Sequence, residues 1–126
     1  WYEDSIRMAL MGCSAEDMRG FCPTWTDEQL QLRAEWLHTC QLDAIETAYS
    51  GFHTDDIHAG LPHLALPMRL VVAGGAPVIQ AEDIAEIRAL APGIEVRTVR
   101  GAGHMIPWDD LDGFLKAVVD FNPAIA

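Results

Sequence analysis

A glycine-rich loop near the end of the sequence carries the side chain best suited to acid–base chemistry. His104 follows Gly101-Ala102-Gly103, and we expect the two glycines to adopt backbone angles that other residues avoid. A neutral imidazole can take a proton from a weak nucleophile and return it to a leaving group near neutral pH. We therefore predict that His104 is a catalytic general base; the alternative interpretation is a histidine in a polar turn.

The sequence offers this base no evident nucleophile. It contains three serines, none of them in a Gly-x-Ser-x-Gly motif between a strand and a helix: Ser5, Ser14 and Ser50. Cys13 would serve only with a base beside it that forms the thiolate. Asp83 is the local candidate for the acid that orients a catalytic histidine, although its setting is typical of the solvated first turn of a helix.

A metal site is the second chemistry to consider. Five side chains offer nitrogen and oxygen ligands within eleven residues: His53, Asp55, Asp56, His58 and His63. Such a group can hold zinc, but no two of these histidines have the four-residue spacing that places both on one helix face. The three cysteines also lack Cys-x-x-Cys spacing. We therefore predict that the protein uses no metal and no cofactor.

Five large side chains are candidates for lining a substrate pocket. They are Trp1, Tyr2, Trp25 and Trp36 in the first part of the chain, and Met105 beside His104. Aromatic side chains combine a large apolar area with a polar tip, which suits a binding site. At helical spacing they more often pack in a core, so both interpretations stay open from the sequence.

The composition is that of a globular and strongly acidic chain. Of 126 residues, 50% are hydrophobic and 21% are charged, with a net charge of −11. This charge disfavours nucleic acid and anionic membrane surfaces as partners, and no apolar run approaches the roughly 18 residues of a spanning helix. We expect a soluble, cytoplasmic protein. Because the chain begins at Trp1 rather than at a methionine, we also expect it to be part of a longer polypeptide.

Residues 1–60 predict a helical region. They hold 11 acidic and 3 basic residues, and apolar side chains recur at helical spacing over about 4–11, 15–20, 27–40 and 43–52. Ser14 is typical of a helix N-cap, and Thr26 with Gln29 matches a capping box. The apolar face of the third helix is wide, as expected of a helix that covers another part of a protein.

Residues 61–126 predict an alternation of strands and helices. After an extended approach at 61–67, Leu70 to Ala73 form an unbroken apolar run, typical of a strand buried on both faces of a parallel sheet. A helix over 81–90, a strand over 94–98 and a last helix over about 108–119 follow. The intervening helix makes the strands parallel neighbours. Because a lone pair leaves its edges and one face uncovered, we expect further strands from outside this sequence.

The order of these motifs resembles the C-terminal half of an α/β-hydrolase. Leu-Pro-x-Leu-x-Leu-Pro at 61–67 leads into a strand that ends at Gly74-Gly75, and Gly-Ala-Gly-His-Met-Ile-Pro at 101–107 precedes a final amphipathic helix. The resemblance implies that residues 1–60 are a helical cap, that 61–126 are the C-terminal part of the α/β core, and that His104 is the catalytic histidine. The family's frequent acid position falls near Pro77, so the acid, like the serine and the oxyanion donors, is expected in the N-terminal half.

The resemblance also implies a reaction. The sequences at 32–40 and 102–114 are similar to those of family members that hydrolyse the C–N bond of a small acid amide. The expected partners are therefore a small-molecule substrate and the N-terminal half of the same hydrolase. Since the fold does not fix the substrate, an ester or a carbon–carbon bond is an alternative target, and a non-catalytic helical binding module is the alternative outside enzymes.

Overall fold

The computed structural model describes residues 2–121, which fall into two compact units. The first unit, Trp1–Asp55, is called here the helical unit, and the second, Asp56–Ala126, the strand unit. The boundary lies about five residues before the position near residue 60 at which the sequence changes character.

The helical unit contains α1 (Tyr2–Met11), α2 (Ala15–Arg19), α3 (Asp27–Leu37) and α4 (Leu42–Thr54). These are the helices that the sequence predicts, except that α3 ends three residues early. The buried apolar side chains of the unit come from α1, α2, α3 and the segment before α3: Met8, Met18, Trp25, Leu30, Ala34 and Leu37. By contrast, α4 buries none of its residues, so one side of this unit stays open.

Local hydrogen bonds explain where these helices begin. Ser14 and Asp17 form a capping box at α2, and Thr26 and Gln29 form the predicted one at α3. In the latter, the Thr26 amide donates to Gln29 Oε1 at 2.8 Å and the Gln29 amide donates to Thr26 Oγ1 at 3.3 Å. Each box satisfies two backbone amides that the helix itself leaves unpaired.

The strand unit begins with a 3-10 helix (His58–His63), followed by β1 (Arg69–Ala73), α5 (Ala81–Leu90), β2 (Glu95–Val99), α6 (Ile106–Asp109) and α7 (Leu111–Val118). The strands pair in parallel, with Arg69 opposite Glu95 and Ala73 opposite Val99. The predicted strand-helix-strand-helix order is thus confirmed. Because the strands are parallel, both point their C-terminal ends toward the same edge of the sheet.

Two local predictions in this unit are wrong. The first is the extended approach at 61–67, part of which is the 3-10 helix with Pro62 inside it. Asp56 Oδ1 accepts from the His58 amide at 3.0 Å and the Ala59 amide at 3.3 Å, which starts a helical turn, and the fixed φ of proline is compatible with a 3-10 helix. The second is the single last helix. Asp110 interrupts it because its carboxylate accepts from the Gly113 amide at 2.8 Å and caps α7.

Burial in the strand unit is limited. Within Leu70–Ala73 only Val72 is buried, so the predicted burial on both faces of this strand is not found in the described residues. Val99, Ala102 and Ala117 form a small core against which Val71 and Ile106 pack. Ala102 of this core belongs to the segment after β2, which also carries His104.

Candidate active site

His104 lies at the C-terminal edge of the two-stranded sheet. It belongs to the loop between Val99, the last residue of β2, and Ile106, the first residue of α6. In open parallel sheets, ligands bind beyond the carboxyl ends of the strands. The structure therefore places the predicted base at the edge where α/β proteins do chemistry.

Two glycines after β1 hold the start of this loop. The Gly74 amide donates to Val99 O at 2.9 Å, and the Gly75 amide donates to Ala102 O at 2.8 Å. A Cβ on Gly74 would lie 2.7 Å from Arg100 Cα, and one on Gly75 would lie 2.9 Å from Ala102 O. Only glycine permits so close an approach of two backbones, so Gly74 and Gly75 fix the path of the chain toward His104.

The residues on either side of His104 are fixed as well. Ala102 is completely buried, and a Cβ on Gly103 would lie 3.0 Å from Asp109 Oδ2. The first turn of α6 closes just after the histidine, where the Trp108 amide donates to Met105 O at 2.8 Å. A short loop thus presents His104 from two anchored ends.

The predicted reason for the loop glycines is wrong. Neither Gly101 nor Gly103 has a positive φ; among the described residues that conformation is found in Gly12 alone, at φ +87°. A Cβ on Gly103 would lie 3.0 Å from the end of the Asp109 side chain, a contact that a small shift of the carboxylate relieves, and a Cβ on Gly101 would meet nothing within 4 Å. The signal for the anchored loop lies instead in Gly74-Gly75, thirty residues before the histidine.

The imidazole itself is exposed and makes no hydrogen bond with any residue from 2 to 121. Asp83, the local candidate for an orienting acid, is occupied at the start of α5, where its carboxylate accepts from the Gln80 amide at 2.7 Å. This matches the helix first turn that its sequence setting indicates. Within the described residues, the structure therefore shows a base without an acid partner.

Three of the five candidate metal ligands are engaged in separate contacts. His58 Nδ1 lies 2.9 Å from Glu86 Oε1, and the His53 ring donates to Tyr49 O at 2.8 Å. Asp56 caps the 3-10 helix. No group of three or more histidine, cysteine, aspartate or glutamate side chains between residues 2 and 121 is arranged to hold a metal ion.

Cys13 lacks the features of an activated nucleophile. The thiol is half-buried. Burial raises its pKa, and the charge of Asp17 raises it further against the opposing effect of Arg33. A raised pKa favours the unreactive thiol over the thiolate. Within residues 2–121, neither Cys22 nor Cys40 takes part in a disulfide.

The five pocket candidates have different environments. Tyr2 stacks on Tyr49, with ring centroids 3.7 Å apart and planes 10° apart, and both rings line an open cavity of the helical unit. Trp25 is buried in the helical core, as in the packing interpretation, while Trp36 is 49% and Met105 43% exposed. Trp1 lies outside the described residues.

The same cavity brings together side chains that the sequence analysis did not single out. Ser5 of α1, Arg33 of α3 and Gln41, which precedes α4, all contribute to its lining. The sequence does hold a signal for Arg33. Acidic residues lie three positions from Arg7 and Arg19, as in helix ion pairs, whereas no acidic residue lies three or four positions from Arg33.

The chain is similar in sequence and in structure to known proteins. No family model matches the chain. It is 60% identical over 121 residues to the N-formylmaleamate deformylase of Pseudomonas putida strain KT2440, an alignment that covers 96% of this chain and 45% of the relative. The crystal structure of a serine-to-alanine variant of the N-formylmaleamic acid deformylase from Pseudomonas putida S16 superposes with a TM-score of 0.82 at 64% identity, over 94% of this chain and 47% of that one.

The chain has the fold of the C-terminal part of an α/β-hydrolase. A second solved structure, E-2-(acetamidomethylene)succinate hydrolase, matches this fold with a TM-score of 0.74 at 20% identity, over 85% of this chain and 43% of that one. The α/β-hydrolase resemblance seen in the sequence is therefore confirmed. The chain spans less than half the length of the curated relative that it matches.

One further property concerns membranes. Of the helices found between residues 2 and 121, none has both the length and the apolar character required to cross a bilayer.

Proposed function

We propose that this chain supplies the general base, His104, of a serine-type α/β-hydrolase that converts N-formylmaleamate to maleamate and formate. The observation that carries the proposal is the combination of 60% identity to a deformylase with a loop that presents His104 at the C-terminal edge of the sheet. The helical unit acts as the cap of this enzyme, and the strand unit forms part of its core.

The reaction proceeds by acyl transfer. A serine hydroxyl attacks the formyl carbon, and His104 takes the hydroxyl proton as the new C–O bond forms. The C–N bond then breaks, and His104 gives this proton to the departing nitrogen, which leaves as the amide of maleamate. Water next attacks the formyl ester, with His104 again as base, and formate leaves as the serine regains its proton.

The other catalytic groups come from the N-terminal half of the hydrolase. The serines of this chain do not suit the role of nucleophile, because Ser5 is buried in α1, Ser14 caps α2 and Ser50 lies within α4. None follows a strand, where the nucleophile of this fold sits on a sharp turn. The acid that orients His104 and the backbone amides that bind the oxyanion have the same origin.

The partners follow from charge and from the reaction. The net charge of −11 disfavours nucleic acid and anionic lipid, and the substrate is a small molecule. Serine-type hydrolysis needs no metal or organic cofactor. We place the enzyme in the cytoplasm, in keeping with its cysteines, which lack the pattern of a disulfide framework.

The proposal is tested with a chimera in which this chain replaces the matching 45% of the Pseudomonas putida KT2440 deformylase. We expect the chimera to release formate from N-formylmaleamate and the 126-residue chain alone to release none, because the chain alone lacks the nucleophile. A folded chimera that leaves N-formylmaleamate intact would contradict the proposed substrate. Turnover by the isolated chain would contradict the assignment of the nucleophile to the N-terminal half.

A further inference from the structure

The cavity of the helical unit has the dimensions of a small-molecule site. Its volume is about 590 Å³, and α1, α3 and α4 all contribute to its walls. Much of the lining is apolar: Leu37, Ala44, Ile45, Ala48 and Phe52. Mainly apolar walls with a few placed polar groups are typical of sites that bind small ligands.

Arg33 is the charged group among the described residues of this lining, and within residues 2–121 it lacks the ion pairs that Arg7 and Arg19 have. Arg7 pairs with Asp4 at 3.2 Å, and Arg19 pairs with Glu16 at 3.1 Å and with Asp27 at 2.6 Å. Arg33 forms no ion pair or hydrogen bond within residues 2–121, although residues 1–60 hold 11 acidic side chains. A guanidinium left unpaired beside apolar walls is suited to binding an anion from solution, and its fork geometry matches a carboxylate.

Ser5 provides a second and independent sign of a ligand. This residue is 8% exposed, and its Oγ is buried and has no hydrogen-bond partner among residues 2–121. Buried hydroxyl groups in folded proteins are nearly always hydrogen-bonded, because leaving one unsatisfied is unfavourable. Since Ser5 lines the same cavity as Arg33, a bound acceptor such as a carboxylate oxygen would satisfy it.

Two stacked tyrosines also line the same cavity. Tyr2 and Tyr49 both contribute to the lining, and their rings lie 3.7 Å apart and nearly parallel. Aromatic faces pack well against planar groups. The lining therefore combines a cation, an unsatisfied donor and an apolar face, which together fit a small planar acid.

We propose that this cavity binds the carboxylate of the acid amide substrate, with Arg33 as the charged anchor and Ser5 as a second donor. The identity of the ligand rests on the proposed function, because N-formylmaleamate carries one carboxylate beside a conjugated double bond. Arg33 acts in substrate discrimination: it selects acid amides over neutral amides of the same shape.

The first test compares two substrates in the chimera. For Arg33→Gln, we expect the KM for N-formylmaleamate to rise about 10- to 100-fold, as for the loss of a hydrogen bond to a charged group, with little change in kcat. The analogue in which a primary carboxamide replaces the carboxylate should be unaffected. Arg7→Gln is the matched control, since Arg7 is exposed and paired with Asp4, and it should leave both substrates unchanged. Equal losses with both substrates would overturn the inference.

The second test uses Ser5→Ala. If Ser5 donates to the carboxylate, the KM for N-formylmaleamate should rise several-fold while the melting temperature stays constant or increases, because an unsatisfied buried hydroxyl has been removed. Arg33→Lys should recover part of the affinity lost in Arg33→Gln, since it restores the charge without the fork. A fall in melting temperature with no change in KM would show that Ser5 is only a packing residue and would remove it from the site.

A binding measurement separates this inference from the proposed function. Calorimetric titration of the chimera with maleamate requires no turnover, and Arg33→Gln should weaken maleamate at least about tenfold. If His104→Ala abolishes turnover but Arg33→Gln binds maleamate normally, the inference fails and the proposed function stands. If Arg33→Gln weakens maleamate but His104→Ala stays active, the proposed function fails and the anion site stands.

Discussion

The helical unit buries large side chains, with Met18 and Leu30 at 0% exposure, whereas the buried positions of the strand unit are valines and alanines. The two units also hold their candidate functional groups differently. Ser5 and Arg33 project from helices that pack around the bulky core, while His104 lies on a loop fixed by the close approach of two backbones. The helical unit should therefore be sensitive to lost side-chain volume, and the strand unit to added volume at its glycines.

Loss of volume in the helical core should have the largest effect on stability. In the chimera, Leu30→Ala removes most of a fully buried side chain, and we expect it to lower the free energy of unfolding by about 2–5 kcal/mol. Denaturant unfolding measures this change. Leu10→Ala is the control. Because Leu10 is 66% exposed, its substitution should lower the free energy of unfolding only slightly. Equal costs at the two positions would show that the helical unit has no specific core.

Added volume at Gly74 should affect the strand unit and the histidine together. Gly74→Ala forces Cβ to within 2.7 Å of Arg100 Cα, which we expect to cost about 1–3 kcal/mol and, by shifting His104, about 100-fold in kcat. Gly101→Ala is the matched control. Gly101 lies in the loop that carries His104, and a Cβ there would meet nothing within 4 Å. If both substitutions reduce kcat equally, the loop is not positioned by Gly74.

A smaller effect is expected from the ion pairs that tie α7 to β1. Arg69 Nη1 donates to Asp120 Oδ1 at 2.5 Å and to Ala117 O at 2.7 Å. The hydrogen bond from Arg69 lowers the pKa of Asp120. A carboxyl group with a lowered pKa stabilises the folded state above its ordinary pKa of about 4, and this contribution is lost as the pH falls through the lowered value.

Asp120→Asn should therefore reduce the stability of the chimera at pH 7 and flatten its loss of stability below pH about 4. The effect should be small because Asp120 is 62% exposed and exposed pairs are weak. Urea midpoints across this pH range measure it, with Asp112→Asn as the control at an exposed position. If Asp120→Asn loses stability more steeply with falling pH than the unsubstituted chimera, the stabilising role of the Asp120 carboxylate is contradicted.

Sequence reasoning predicts the helices and strands well where the signal is local. The Thr26 capping box depends on neighbouring residues and is found in the structure. The strand expected over 94–98 is found one residue later, at Glu95–Val99. Prediction fails where a side chain competes with the backbone. The Asp110 carboxylate accepts from the Gly113 amide and interrupts the expected last helix. The Asp56 carboxylate accepts from the His58 amide and starts a 3-10 helix where an extended segment was expected.

The candidate sites show the same limit. His104 is identifiable because its loop motif is contiguous, although the glycines that anchor the loop, Gly74 and Gly75, are about thirty residues away and act through backbone contacts. Ser5 and Arg33 are 28 positions apart in the sequence and meet only as walls of one cavity. Nothing in the pattern around Ser5 predicts that its hydroxyl has no hydrogen-bond partner among residues 2–121.

The most direct test of the central claim is the turnover of the chimera with His104→Ala, measured as formate release from N-formylmaleamate. Removing the general base should lower kcat by about 10⁴- to 10⁶-fold while KM changes little, because the remaining triad members do not act without it. His63→Ala, at an exposed position of the same unit, should retain activity within about twofold. If His104→Ala keeps a tenth or more of the original kcat, His104 is not the base.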